Sequence, residues 1–264
     1  MMLRLAAACA VALLAAACQT PAAPGPVLSA PLAGDPPTLR TALPATPGPH
    51  PAVLMVPACD APLASARAAL YTRYAEKLRD EGFAAGILAW PGSGAGDPDC
   101  NTVEPAVIAS AILGGVKALQ AQPGVDPKRL HLVGWGHGGR GVIEIIRAEK
   151  RLAGLVSAVA VYPDCPKPEP WKTEVTLFLA LAEFDTAAPP ADCRAFAEKS
   201  DGPGPVAITR YTGVAHGFDV GEAADPAFAA YRTGTPLTYD EPTAYQFWLD
   251  LLKFLRLKID AGAS

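Results

Sequence analysis

Residues Val133-Gly134-Trp135-Gly136-His137-Gly138-Gly139 join an apolar run to a helical pattern. The spacing is the Gly-x-Ser-x-Gly frame of a nucleophile elbow, where a sharp strand-to-helix turn lifts a reactive side chain toward substrate. The outer glycines allow a tight turn and a close approach of helix to strand. The central residue is Gly136, which carries no oxygen or sulfur. The turn therefore has the frame for acyl-transfer chemistry without the atom that performs it. A second set of reactive groups is the cysteines. Apart from Cys9 and Cys18, they are Cys59, Cys100, Cys165 and Cys193, an even set. In an exported protein this predicts two disulfides, with three pairings open. No Cys-x-x-Cys pair occurs among them, so no metal site is expected. The Gly92–Gly96 run lacks the Lys-Ser/Thr of a phosphate loop, and no cofactor is expected.

The elements that must position this turn alternate. Apolar runs at Pro51–Val56, Phe83–Trp90, Leu130–Trp135, Leu155–Tyr162, Val175–Ala182 and Val206–Tyr211 read as strands. Between and after them, Ser65–Arg79, Thr102–Gln122, Arg140–Lys150, Pro190–Lys199 and Glu241–Ile259 read as helices. Strands apolar on both faces and separated by helices predict an α/β fold: a mostly parallel sheet with helices on both faces.

The front of the chain reads as an address and a tether. Met1-Met2-Leu3-Arg4 is followed by a short apolar run ending Leu13-Leu14-Ala15-Ala16-Ala17-Cys18. A positive start, an apolar segment and small residues before a cut site make a secretory signal over residues 1–17. The last residues resemble the lipobox of bacterial lipoproteins. That resemblance implies cleavage before Cys18, lipidation of Cys18 and a membrane partner through its acyl chains. Gln19 after the cysteine implies an outer-membrane anchor facing the periplasm. Residues 19–51 hold ten prolines and only two charges, Asp35 and Arg40, so residues 18–50 are expected to be an extended tether and 51–264 the folded domain.

Composition bounds the rest. Half of the 264 residues are hydrophobic and 18% are charged, enough apolar material for a large core. The formal net charge is -4, with 22 basic against 26 acidic residues, which gives no reason to expect a nucleic-acid partner. The sequence does not specify a protein partner.

The stretch Gln122-Pro-Gly-Val-Asp126-Pro-Lys-Arg-Leu-His-Leu-Val-Gly-Trp-Gly-His-Gly-Gly139 resembles the secreted branch of the dienelactone hydrolase-like family of α/β-hydrolases. So does Tyr74-Ala-Glu-Lys-Leu-Arg-Asp-Glu-Gly82, and the likeness runs from about Pro51 to Leu257. That family has Ser or Cys where this chain has Gly136. Its acid follows the strand downstream of the elbow, which Ala182-Glu183-Phe184-Asp185 matches at Asp185, with Glu183 the rival. Its histidine lies in Gly-x-x-His-Gly-Phe, which Gly213-Val-Ala-His216-Gly-Phe218 matches. Relatives carry His-Gly-x-Gly-Gly in the oxyanion loop. Here the loop is Pro57-Ala58-Cys59-Asp60-Ala61, with no glycine and with a proline that has no N–H. Asp60 adds negative charge where negative charge would develop. The resemblance also implies the pairs Cys59–Cys100 and Cys165–Cys193.

The expectation is a catalytically impaired member with a relic Asp185–His216 dyad, serving a binding or scaffolding role. The rival is an active carboxylic ester or lactone hydrolase using that dyad with water or an unusual nucleophile such as Cys59 or Ser93. A small-molecule ligand would meet Trp135, Trp90 and Phe218, unless these aromatics are core. His137 is expected to fill space beside the elbow, His131 to be structural and His50 to lie in the tether.

Overall fold

The computed structural model describes residues 39–59, 64–91, 93, 102–148, 152–221 and 239–262. Among these, β1 is Leu39–Ala42, β2 His50–Val56, β3 Ala84–Leu88, β4 Val125–Trp135, β5 Leu155–Val161, β6 Thr176–Ala182 and β7 Val206–Tyr211. The helices are α1 (Ala64–Asp80), α2 (Pro105–Gln120), α3 (Gly136–Ala148), α4 (Pro190–Ala197) and α5 (Glu241–Gly262). The strands form one sheet in the order β1-β3-β2-β4-β5-β6-β7. Every pairing is parallel except β1 with β3, so the expected α/β architecture is the observed one.

Side-chain alternation builds two cores from these strands. Leu54, Val56, Leu130, Leu132, Leu177 and Leu179 face one side, under α2, α3 and α4. Val53, Met55, Val133, Trp135, Phe178 and Ala180 face the other, under α1 and α5. Burial on both faces is why these strands read as unbroken apolar runs rather than as alternating ones.

The sheet corrects one boundary. The tether expected over 18–50 is shorter: Leu39–Ala42 pairs antiparallel with β3, from Leu39 opposite Leu88 to Ala42 opposite Ala85. Leu39 and Leu43 pack on one core and Ala42 on the other, which ties this edge down. His50 begins β2, opposite Val125, and is not a tether residue. The strand β4 starts at Val125, five residues before the apolar run Leu130–Trp135. The helix α3 starts at the elbow itself, four residues before its sequence pattern becomes helical. The signal segment and Cys18 lie outside the described residues.

His131 is structural, as expected. It is fully buried in β4, with Nδ1 2.8 Å from Ser157 Oγ on β5 and Nε2 without a partner. Burial, and secondarily the charge of Arg129, lowers its pKa from 6.5 to about 4. Because the folded value lies below the unfolded one, the unfolded chain binds the proton more readily between them. Stability is therefore complete above pH 6.5 and falls as pH drops toward 4, by about 3 kcal/mol from this group. Urea unfolding should show His131→Leu gaining about that much relative to the unmodified chain between pH 7 and pH 4.

Candidate functional site

At the carboxyl end of the sheet the chain leaves β4 at Trp135, turns at Gly136 and enters α3. Gly136 has φ +48°, in the left-handed region that favours glycine. The helix could not start so close to the strand with larger neighbours: a Cβ on Gly138 would lie 2.2 Å from the Pro57 carbonyl oxygen. A Cβ on Gly136 would lie 3.2 Å from Ala58 Cβ and 3.8 Å from His216 Nε2. The elbow thus aims an absent side chain at the histidine.

His216 sits in the loop after β7 and Asp185 in the loop after β6. His216 Nδ1 is 2.8 Å from Asp185 Oδ2. The other oxygen, Oδ1, accepts the backbone N–H of Ala187 (2.9 Å) and of Ala188 (2.8 Å). The Asp185 side chain is 1% exposed and that of His216 15%. A carboxylate held this way orients the imidazole and makes Nδ1 the donor, with Nε2 on the side of Gly136. Glu183, the rival acid, is used elsewhere. Its Oε2 accepts the N–H of Gly213 at 2.9 Å, fixing the turn that leads to His216. The N–H of Phe184 donates to the Val214 carbonyl at 2.8 Å, which ties the acid loop to the histidine loop.

The oxyanion-loop positions are Ala58 and Cys59. The N–H of Ala58 donates to Tyr71 Oη at 2.8 Å, and Trp90 Nε1 donates to the Pro57 carbonyl at 2.9 Å. Cys59 is disulfide-bonded and offers no thiolate. Its expected partner Cys100, like Asp60, lies outside the described residues. Ser93 Oγ accepts the Trp90 N–H and donates to the Trp90 carbonyl, both at 2.8 Å. The second pair is present: Cys165 and Cys193 are bridged, with Cα atoms 5.1 Å apart. His137 fills space as expected, with Nε2 2.7 Å from the Val103 carbonyl. Trp135, Trp90 and Phe218 are buried core and do not form an open pocket wall. The exposed aromatic beside the pair is Phe184, 62% exposed.

Sequence reasoning missed Tyr162 and Asp219. Tyr162, the residue after β5, has φ +35°, and its ring centroid is 4.4 Å from that of His216. Asp219 is buried and accepts three neutral donors: Tyr162 Oη at 2.8 Å, Trp135 Nε1 at 3.0 Å and Tyr74 Oη at 3.1 Å. It joins the elbow, the histidine loop, β5 and α1. Burial first, and then the Asp219 charge, pushes the Tyr74 phenol well above its ordinary pKa, so it remains a donor. The available signal was one acid in the apolar stretch Gly217-Phe218-Asp219-Val220 directly after the histidine.

The parallel sheet, the elbow, and an acid and a histidine on successive later loops define an α/β-hydrolase. The dienelactone hydrolase family model matches residues 99–258, and the chain belongs to that family. A Klebsiella pneumoniae protein described as a dienelactone hydrolase is similar over 86% of this chain and 95% of its own, with a TM-score of 0.65 and 17% identity. A dienelactone hydrolase-like promiscuous phosphotriesterase from metagenomic libraries covers 85% and 99%, with a TM-score of 0.65 and 18% identity. A butyrate-bound thermophilic esterase of Thermogutta terrifontis covers 84% and 88%, with a TM-score of 0.56 and 15% identity. At these identities the likeness establishes the fold. No curated protein matches the chain.

Proposed function

We propose that this is a dienelactone hydrolase-like domain whose elbow has lost its nucleophile, and that it serves a binding or scaffolding role with little or no hydrolysis. The observation that carries this is Gly136: the elbow position whose Cβ would stand 3.8 Å from His216 Nε2 has no side chain. Removing the serine of a serine protease costs about 10⁶ in kcat, and losing an oxyanion donor costs about 10²–10³. Glycine also relieves backbone strain of about 1–3 kcal/mol that a side chain at such a turn would store. The domain should fold well and catalyse poorly. Purified protein should not turn over nitrophenyl esters; turnover abolished by His216→Ala would refute the binding reading.

A second reading has its own support. The His216–Asp185 pair is intact, and similar folds include an esterase and a phosphotriesterase. In that reading His216 takes a proton from water beside Gly136 and the water attacks an ester or lactone carbonyl. The same turnover assay separates the two.

The lipobox-like residues at Cys18 support a lipid-anchored protein of the bacterial cell envelope, and Gln19 supports an outer-membrane anchor facing the periplasm. Palmitate should label the protein in the membrane fraction. Cys18→Ser should lose the label and release the domain; a label that persists would remove the anchor from this account.

A further inference from the structure

We propose that the cavity between α1 and the start of α5 is a binding site for a small aromatic carboxylate, separate from the elbow and independent of whether the elbow is active. The cavity measures about 160 Å³, close to the roughly 150 Å³ that accommodates a benzene ring inside a protein. Leu70, Tyr74 and Asp219 are its buried lining and form the floor. Asp219 separates it from the dyad. Its Oδ2 takes the Tyr74 hydroxyl on the cavity side, and its Oδ1 takes that of Tyr162, whose ring packs on His216. Ala58 and His216, the residues nearest a Cβ at position 136, do not line the cavity.

Charge on α1 selects the ligand. Arg73 and Lys77, one helical turn apart, line the cavity together. Lys77 Nζ lies 5.3 Å from the Trp248 ring centroid, a contact that orders this long side chain and lowers the cost of holding it on a ligand. Burial and Asp219 raise the pKa of the Tyr74 phenol and the Arg73 charge opposes them, so the guanidinium is within electrostatic reach of the floor. Against these two cations stand Glu241, in the first turn of α5, and Asp219, whose three donors already answer its charge. An anion on the α1 side is therefore favoured, and a carboxylate matches a guanidinium with two parallel hydrogen bonds. The aromatic body follows from the opposite wall. Tyr239 and Tyr245 line the cavity with 38% and 61% of their surface exposed. The Tyr239 ring and Arg73 Nη2 lie 3.6 Å and 3.7 Å from one point, the position a Cβ on Gly221 would take. A ring laid on Tyr239 thus brings its carboxylate to Arg73.

The test is methyl NMR of the full chain titrated with benzoate, with benzamide (nearly the same shape, no charge) and with benzylammonium (the opposite charge). Benzoate should shift the Leu70 and Ala244 resonances saturably. Benzamide should bind at least about tenfold more weakly, the worth of one charge-assisted pair, and benzylammonium should not bind. Arg73→Gln should weaken benzoate about tenfold and leave benzamide unchanged. Ala244→Trp, which fills the cavity, should abolish binding of both. Benzamide or benzylammonium binding as tightly as benzoate, saturable shifts confined to Ala58 and His216, or no saturable shift with any probe would overturn the proposal. If either variant fails to fold, the contrast among probes and the place of the shifts in the unmodified chain decide. Ester turnover dependent on His216 would overturn the binding reading of the elbow and leave this site standing.

Discussion

Replacing Gly136 with serine should raise esterase activity above that of the unmodified chain, for which the proposed reading expects almost none. The dyad that would activate the new hydroxyl is already in place, with His216 Nδ1 2.8 Å from Asp185 Oδ2. The new Cβ would stand 3.8 Å from His216 Nε2, so one rotamer brings the oxygen into hydrogen-bond range. Two costs limit the gain. The Cβ is tight against Ala58 Cβ at 3.2 Å and takes up φ +48°, so the local chain must give by a few tenths of an ångström. The oxyanion loop is also still wrong. It contains Pro57, which has no N–H, and the N–H of Ala58 is already held by Tyr71. A full nucleophile effect of about 10⁶, less about 10²–10³ for the missing oxyanion donor, leaves a gain of about 10³–10⁴ in turnover of a nitrophenyl ester. Fluorophosphonate should label the variant slowly and the unmodified chain not at all. A variant as inert as its parent would show that the pair is not poised toward the elbow.

Asp219→Ala should be among the most destabilising single changes in the domain. It removes the acceptor that Tyr74, Trp135 and Tyr162, all buried, share, and leaves a small void. Unsatisfied buried donors cost about 1–3 kcal/mol each, partly recovered by relaxation, so a loss of about 3–5 kcal/mol is expected in urea unfolding. Asp219→Asn should cost much less. Its amide oxygen can face Oη of Tyr74 and Nε1 of Trp135, and its NH₂ can face Tyr162, whose hydroxyl can turn to accept. The indole N–H cannot turn, which fixes the orientation of the amide. A loss equal to that of Asp219→Ala would mean that the charge, rather than the acceptor geometry, holds the four elements together. A small loss in both variants would remove Asp219 as their common anchor.

The layered fold was legible because its strands are buried on both faces, so that β2, β4, β5 and β6 appear as plain apolar runs. The edge strand β1 was not. It has four residues between prolines, and its partner β3 lies more than forty residues away, so nothing local distinguishes it from tether. The start of α3 was hidden by the same glycines that make the elbow, because glycine is a poor helix former that is used here for close approach. Asp185 and His216 were found through the motifs around them, and the structure brings the two together. Nothing in their spacing alone would have paired residues 31 apart. Asp219 was missed because its partners are 57, 84 and 145 residues away in sequence, and a network closed only by the fold leaves no local pattern. Tyr162 looked like the last residue of a strand, and its role follows from a backbone conformation that sequence does not display.

The most direct test is intact-mass spectrometry of the unmodified protein after exposure to an activated ester and, separately, to a fluorophosphonate. The predicted result is an unchanged mass under conditions that modify Gly136→Ser. A stoichiometric acyl or phosphonyl adduct, mapped to any residue that faces His216, would contradict the account, because it would supply the nucleophile that Gly136 lacks.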